Sequence, residues 1–286
     1  MQSPVAFTGR HAVDPWYDAR VADWCAVESR VAEREFVEGW CDCCGGRVPL
    51  KVDGGLRFGE RIALRAGMLC PNGLFGATRL LLRVARREKS EGVCAVFEQG
   101  TRFTEALART TRLTLLESEY FGPGAAPGST HPRPGGLVQH QDMTASTHAD
   151  ASIDLIVHSE VLEHVPDDGA ALRDHFRILR PGGAVVFTVP FFVQLDRTYP
   201  LAWLDGEGRT VFDGEPVYHG DRITGAILTY HMHGWDLLTR LREAGFADAA
   251  VEVCFDCDSG ILSDNHPVIR GGNNPPLVIV ARKAAA

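Results

Sequence analysis

From about residue 91 onward, short apolar runs alternate with stretches in which apolar side chains recur every three or four positions. The clearest case lies at 154–190. Leu155-Ile156-Val157 is apolar on successive positions and rich in β-branching, which suits a strand buried on both faces of a parallel sheet. Leu172, Phe176 and Leu179 then recur at helical spacing, with Asp167 placed to accept from the first free amides of the helix. Arg180-Pro181-Gly182-Gly183 reads as the helix stop, because glycine takes a left-handed cap and proline cannot extend the ladder. A buried strand over 184–189 completes a strand–helix–strand unit. Its polar trio, His158-Ser159-Glu160, stands at the carboxyl end of the first strand, where open α/β sheets bind ligands.

The same patterning predicts strands at 93–97, 113–116 and 137–141 before this unit. It predicts a helix over 235–244 and strands at 249–254 and 277–281 after it. The stretch 122–136 is rich in Gly and Pro and reads as a loop. The stretch 191–228 is long and irregular, and connections of that length are usually lids or binding loops. Ahead of residue 91 the pattern changes. Val21, Trp24, Val27 and Val31 have helical spacing, 41–73 is polar and glycine-rich, and 78–89 is helical. In that last helix Leu81, Leu82 and Ala85 turn inward, and the arginines form a solvated face. The expected division is a helical, cysteine-rich segment over 1–90 and a sheet domain over 91–286.

Composition narrows the partners. With 45% hydrophobic residues and 286 residues in all, the chain can bury an ample core. A net charge of −8, and arginines without interleaved aromatics, argue against a nucleic-acid partner. No apolar run approaches the roughly 20 residues that span a bilayer, and no signal peptide opens the sequence, so a cytoplasmic location is expected. In that compartment eight cysteines point to metal ligands or buried thiols before disulfides. Cys41 and Cys44 have the Cys-x-x-Cys-Gly spacing whose turn aims two thiolates at one tetrahedral zinc, and Cys70 is a candidate third ligand. A second knuckle would close at position 73, where glycine stands. A fourth ligand would have to be Cys43, Cys25 or one of the pair Cys254 and Cys257; the alternative is a loop of reduced, partly buried cysteines.

Several motifs carry a family resemblance. Glu163-His164-Val165, then Leu179-Arg180-Pro181-Gly182-Gly183, then a strand ending in Pro190-Phe191, resembles the fourth-to-fifth-strand region of class I S-adenosylmethionine (SAM) methyltransferases. The loop Glu98-Gln99-Gly100-Thr101 resembles that of a subgroup with a cysteine-bearing, zinc-ribbon-like N-terminal segment. The likeness continues at Ser118-Glu119-Tyr120, around Asp142 and at Tyr218-His219-Gly220-Asp221, in patches from Cys41 to Phe246. Arg102 and Thr104 stand where the family has further glycines.

The resemblance implies a Rossmann-like, seven-stranded, mostly parallel sheet with helices on both faces, its last two strands an antiparallel edge hairpin. It implies SAM as cofactor, approached by Glu98, Gly100 and Thr101. Glu119, with Tyr120 beside it, would take the ribose hydroxyls, since a carboxylate at the end of the second strand can accept from both. Asp142 would accept from the adenine amine, Met143 would pack on the ring, and Ser159 and Glu160 would close the site. The expected reaction is methyl transfer to oxygen or nitrogen of a small molecule. His219 is the candidate base, because imidazole titrates near neutrality and the acceptor must lose a proton. Tyr218 and Asp221 lie beside it, and His164 is next in line. Two other readings remain: a SAM-fold enzyme of different chemistry, or a binding or scaffold subunit that works through its cysteine-rich segment.

Overall fold

The computed structural model describes residues 1–53, 57–58, 61–133, 136–221, 225–263 and 275–286. In chain order, β1 (Val5–Phe7) leads into α1 (Arg10–Asp18) and α2 (Val21–Ala32). The hairpin β2 (Phe36–Cys41) and β3 (Gly46–Val52) follows, then β4 (Arg57–Phe58), β5 (Arg61–Ile62), the turn of helix α3 (Leu64–Gly67) and β6 (Met68–Leu69). Next come α4 (Gly76–Glu88), β7 (Glu91–Val96), α5 (Arg102–Thr110) and β8 (Arg112–Glu119). After β9 (Thr130–Arg133) and β10 (Gly136–His140) come β11 (Ile153–Ser159), α6 (Asp168–Ile178) and β12 (Leu179–Thr188). The chain then passes through β13 (Tyr199–Pro200), β14 (Ala202–Leu204), β15 (Thr210–Phe212), β16 (Tyr218–Asp221), β17 (Gly225–Leu228) and β18 (His231–Met232). It ends with α7 (Asp236–Glu243), β19 (Asp248–Val253) and β20 (Leu277–Arg282).

Among the described residues the main sheet has nine strands, in the order β1-β19-β20-β12-β11-β7-β8-β10-β9. β7, β11 and β12 run parallel, as do β8 and β10. The amide of Ala247 donates to Arg282 and that of Cys254 to Pro276, so β19 and β20 run against each other as the expected hairpin edge. All seven expected strands are present in a mostly parallel α/β sheet. Two antiparallel edge strands, β1 and β9, are additional. β9 falls in the stretch read as a loop: its neighbours are glycine and proline, and an edge strand tolerates them because only one side of its ladder is paired.

Two compact units divide the chain. The first gathers Met1–Gly92, Gly100–Leu115 and Ala250–Val280; the second gathers Val93–Gln99, Leu116–Ala249 and Ala281–Ala286. The expected boundary near residue 90 follows chain order, whereas packing also draws later segments into the first unit.

Within the second unit the apolar run behaves as its pattern dictates. Leu155, Ile156 and Val157 of β11 are fully buried, paired in register with Ala184, Val185 and Val186 of β12. Asp167 caps α6, its Oδ1 accepting from the Ala170 amide at 2.8 Å. One boundary moves. Leu179, read as the last inward helical position, is extended and pairs with Ile153, so Leu179-Arg180-Pro181-Gly182-Gly183 opens β12 instead of merely ending the helix. The stretch after β12 also differs from the irregular loop expected. β14 pairs with β15, and β16 with β17, in two antiparallel hairpins.

Within the first unit, α4 corrects the reading of its arginines as a solvated face. Arg79 is 1% exposed. Its Nη1 donates to the carbonyls of Met68 and Leu74, and its Nη2 to those of Ser259 and Gly260. Arg83 bridges Asp42 and Asp256, and Arg87 grips Glu252 with two bonds of 2.8 and 2.7 Å. These arginines satisfy carbonyls and carboxylates that local sequence does not reveal, because their partners lie up to 181 positions away.

Candidate active site

The strands' carboxyl ends carry the residues expected to meet a cofactor. β7 gives way to Glu98 and Gln99, and the Gln99 amide donates to Glu119 Oε1 at 3.1 Å at the end of β8. Asp142, just beyond β10, accepts from the amide and the hydroxyl of Thr144 through Oδ1, at 2.8 and 2.7 Å, which holds its turn. Met143 is buried, and Tyr120 is about half exposed. Ser159 at the end of β11 lies 3.1 Å, hydroxyl to hydroxyl, from Thr188 of β12. Glu160 follows with φ of 53°, a left-handed conformation that a non-glycine residue takes only when its surroundings enforce it; here its amide is pinned to the Thr188 carbonyl at 3.0 Å.

Gly100 and Thr101 belong to the first unit. Gly100 takes φ of +61°, and a side chain built there would meet no atom within 4 Å. The glycine therefore serves the turn and leaves open space above it. Thr101 caps α5 in a reciprocal capping box with Thr104, which explains why threonine stands where the family has a glycine.

Another group, in the second unit, was legible only in part. Glu163 lies in the helical turn Leu162–His164 after β11, fully buried, and no described donor hydrogen-bonds to either carboxylate oxygen. Its Oε1 lies 3.6 Å from His164 Nε2 and 3.6 Å from His219 Nδ1. Backbone bonds from the hairpin locate this cluster. The Tyr230 amide donates to the Glu163 carbonyl at 2.8 Å, and His164 Nδ1 lies 2.8 Å from the Leu228 carbonyl. A carbonyl only accepts, so Nδ1 of His164 carries a proton, and its Nε2 faces the carboxylate. Leu228 pairs with Tyr218 across the hairpin, which brings His219 alongside, its ring perpendicular to that of His164 with centroids 5.1 Å apart.

A buried carboxylate with two imidazole nitrogens around it needs a proton or a cation among them. Burial accordingly pushes Glu163 up to about 7, and the Glu163 carboxylate raises His219 above the usual imidazole range. Glu163, His164 and His219 offer ligand atoms within 4.8 Å of one another, a geometry that suits a shared proton or a divalent cation. His219 remains 37% exposed, so a substrate can reach it. Tyr218 points to the other side of β16, as strand alternation requires, and is exposed. The backbone of Asp221 ends β16, but its side chain lies outside the described residues. His158 is fully buried against Phe187, and burial holds its pKa well below the usual value, which removes it from solvent chemistry.

In the first unit, Cys41, Cys44 and Cys70 bring their sulfurs within 4.8 Å of one another, the set that spacing nominated. The β2–β3 turn supplies the first two and the turn after β6 the third. Cys41 donates to Cys70, which raises Cys41 and lowers Cys70 to about 5. Cys43 points elsewhere, its sulfur accepting from Arg109 Nη2 at 3.1 Å. Three thiolates are a soft donor set that fits zinc.

Part of the chain is similar to known proteins. Residues 102–187 match the family described as a methyltransferase domain. A ubiquinone biosynthesis O-methyltransferase of Sodalis glossinidius is 34% identical over 113 residues, 38% of this chain and 43% of that protein. The chain thus spans under half the length of this curated relative. A crystal structure of a SAM-dependent methyltransferase from Mesorhizobium loti aligns with a TM-score of 0.47 and 20% identity, covering 72% of this chain and 98% of that one. Residues 102–187, from α5 to β12, are thus similar to a methyltransferase domain.

Proposed function

We propose that this chain transfers a methyl group from SAM to oxygen or nitrogen of a small-molecule acceptor, with His219 as general base and Glu163 as the buried carboxylate that tunes it. The observation that carries the reading is the pairing of a solvent-accessible imidazole with a buried carboxylate lacking any described hydrogen-bond donor, just past the fourth strand of the core sheet. Glu98, Glu119, Tyr120, Asp142, Met143, Ser159 and Glu160 would hold the cofactor. Bound SAM supplies an electrophilic methyl on a sulfonium. His219 takes the proton that the acceptor loses, and Glu163 stabilises the resulting imidazolium across 3.6 Å. His164, fixed by the Leu228 carbonyl, keeps the carboxylate turned toward His219. Tyr218, on the opposite face of β16 from His219, takes no part in this step.

The name of the Sodalis relative favours oxygen over nitrogen as the atom methylated. Exposed Trp203, Leu204 and Phe212 on the preceding hairpin give the 191–228 segment apolar surface suited to covering such an acceptor. The cysteine set would hold one zinc in the N-terminal segment. Among the described residues no helix is long and apolar enough to cross a membrane.

Calorimetric titration with SAM, followed by a mass-spectrometric screen of small phenols and amines, tests the proposal. Saturable SAM binding with a product heavier by one methylene is the expected result. SAM binding without any methylated product would point to different chemistry. No SAM binding would leave a scaffold role.

A further inference from the structure

The turns that carry the cysteines both close on a left-handed glycine, Gly45 with φ of +74° and Gly73 with φ of +75°. In the first turn the residue before the glycine is Cys44, whose thiol joins the cluster. In the second it is Asn72, and its side chain reaches the cluster too, with Nδ2 3.1 Å from Cys44 Sγ. Turn geometry therefore places the missing ligand at 72, not at 73 where spacing alone would put it. A side chain at position 73 would be strained by the left-handed φ of +75° and would have to displace Arg102, whose Nη1 lies 1.5 Å from an added Cβ. Among the described residues no fourth cysteine, histidine or carboxylate joins the three sulfurs, and Cys43 is turned to Arg109. Cys41 and Cys70 are buried, but Cys44 is half-buried and Asn72 exposed, so the corner nearest Asn72 faces solvent.

We propose that Cys41, Cys44 and Cys70 hold zinc as a three-thiolate site whose fourth position is open, filled by water and available to a small thiol, with Asn72 donating to Cys44 instead of ligating. Structural zinc sites are closed by four protein ligands, whereas a site with three keeps an exchangeable position. An amide N–H on a ligating thiolate steadies it, as groups behind metal ligands generally do. A thiol entering this position would bind as thiolate, displacing the water and releasing its proton. The inference rests on the zinc reading, and is independent of methyl transfer.

Cobalt substitution of the full-length protein tests it, since cobalt reports its ligands in the visible spectrum. The expected result is one equivalent of cobalt with thiolate charge-transfer bands, and a spectral shift when 2-mercaptoethanol is added. Asn72→Cys should raise the charge-transfer intensity by roughly a third, the step from three thiolates to four, and abolish the shift. Failure to bind cobalt would remove the metal reading and this inference with it. Stoichiometric cobalt whose spectrum ignores added thiol and is unchanged in Asn72→Cys would keep the metal but close the site. Loss of intensity in Cys43→Ser would likewise name Cys43 as the fourth ligand and overturn the open position.

Discussion

Among the described residues stand two clusters of three ligand-type side chains, and they were assembled in different ways. Cys41, Cys44 and Cys70 come from two tight turns, each set by its own few residues, and are soft donors suited to metal. Glu163, His164 and His219 come from positions 56 apart, joined only because the β16–β17 hairpin lays Leu228 and His219 against the turn after β11. In the first cluster a cation, Arg79, lies buried close by with four carbonyls as partners. In the second a carboxylate is buried without a described hydrogen-bond donor. A buried cation held by several carbonyls resists change, whereas a buried carboxylate whose nearest polar neighbours are two imidazoles can exchange protons with them.

The largest expected effect breaks the first region. Arg79→Leu orphans four buried carbonyls and should destabilise the fold by about 3 kcal/mol or more, with loss of metal, as read by denaturant unfolding and elemental analysis. Next, His219→Ala should lower turnover by about a hundredfold while SAM affinity in calorimetry stays unchanged, because the base touches the acceptor and not the nucleoside. An unaltered rate with a known acceptor would shift the base role to His164.

The third prediction contrasts the clusters through pH. Glu163 is raised from 4.5 in the unfolded chain to about 7 in the folded one, so the native state holds the extra proton in between. Its contribution is therefore a cost that is absent below pH 4.5, grows between 4.5 and 7 and levels off above, at about 3 kcal/mol. Glu163→Gln should stabilise the protein at pH 8 much more than at pH 5, at the expense of turnover; equal unfolding midpoints at the two pH values would contradict the buried-charge account. The smallest effect is a control on both regions. Glu119→Ala should weaken SAM binding by about 1–3 kcal/mol and leave metal content and the His219 titration unchanged.

What the sequence revealed follows the same division. The parallel core was legible because Leu155-Ile156-Val157 and 184–189 carry their burial in local apolarity, and the cysteine set because a knuckle turn is a local object. The hairpins of 202–228 were not, since strands of three or four residues offer too few positions for a periodicity to register. Arg79 looked solvent-facing because charge alone predicts exposure, while its carbonyl partners at 259 and 260 are set by the tertiary fold. Glu163 was visible as part of a motif, but its solitude in the interior was not: a carboxylate next to a histidine reads as polar surface until three-dimensional packing removes the water.

The central claim is that Glu163 and His219 hold protons jointly, and histidine-resolved NMR titration of His219 tests it without needing the acceptor. In the native protein His219 should titrate above its usual 6.5, and in Glu163→Gln it should fall to that value or below, because the carboxylate that favours the imidazolium is gone and burial remains. An identical His219 titration in both proteins would contradict the pairing.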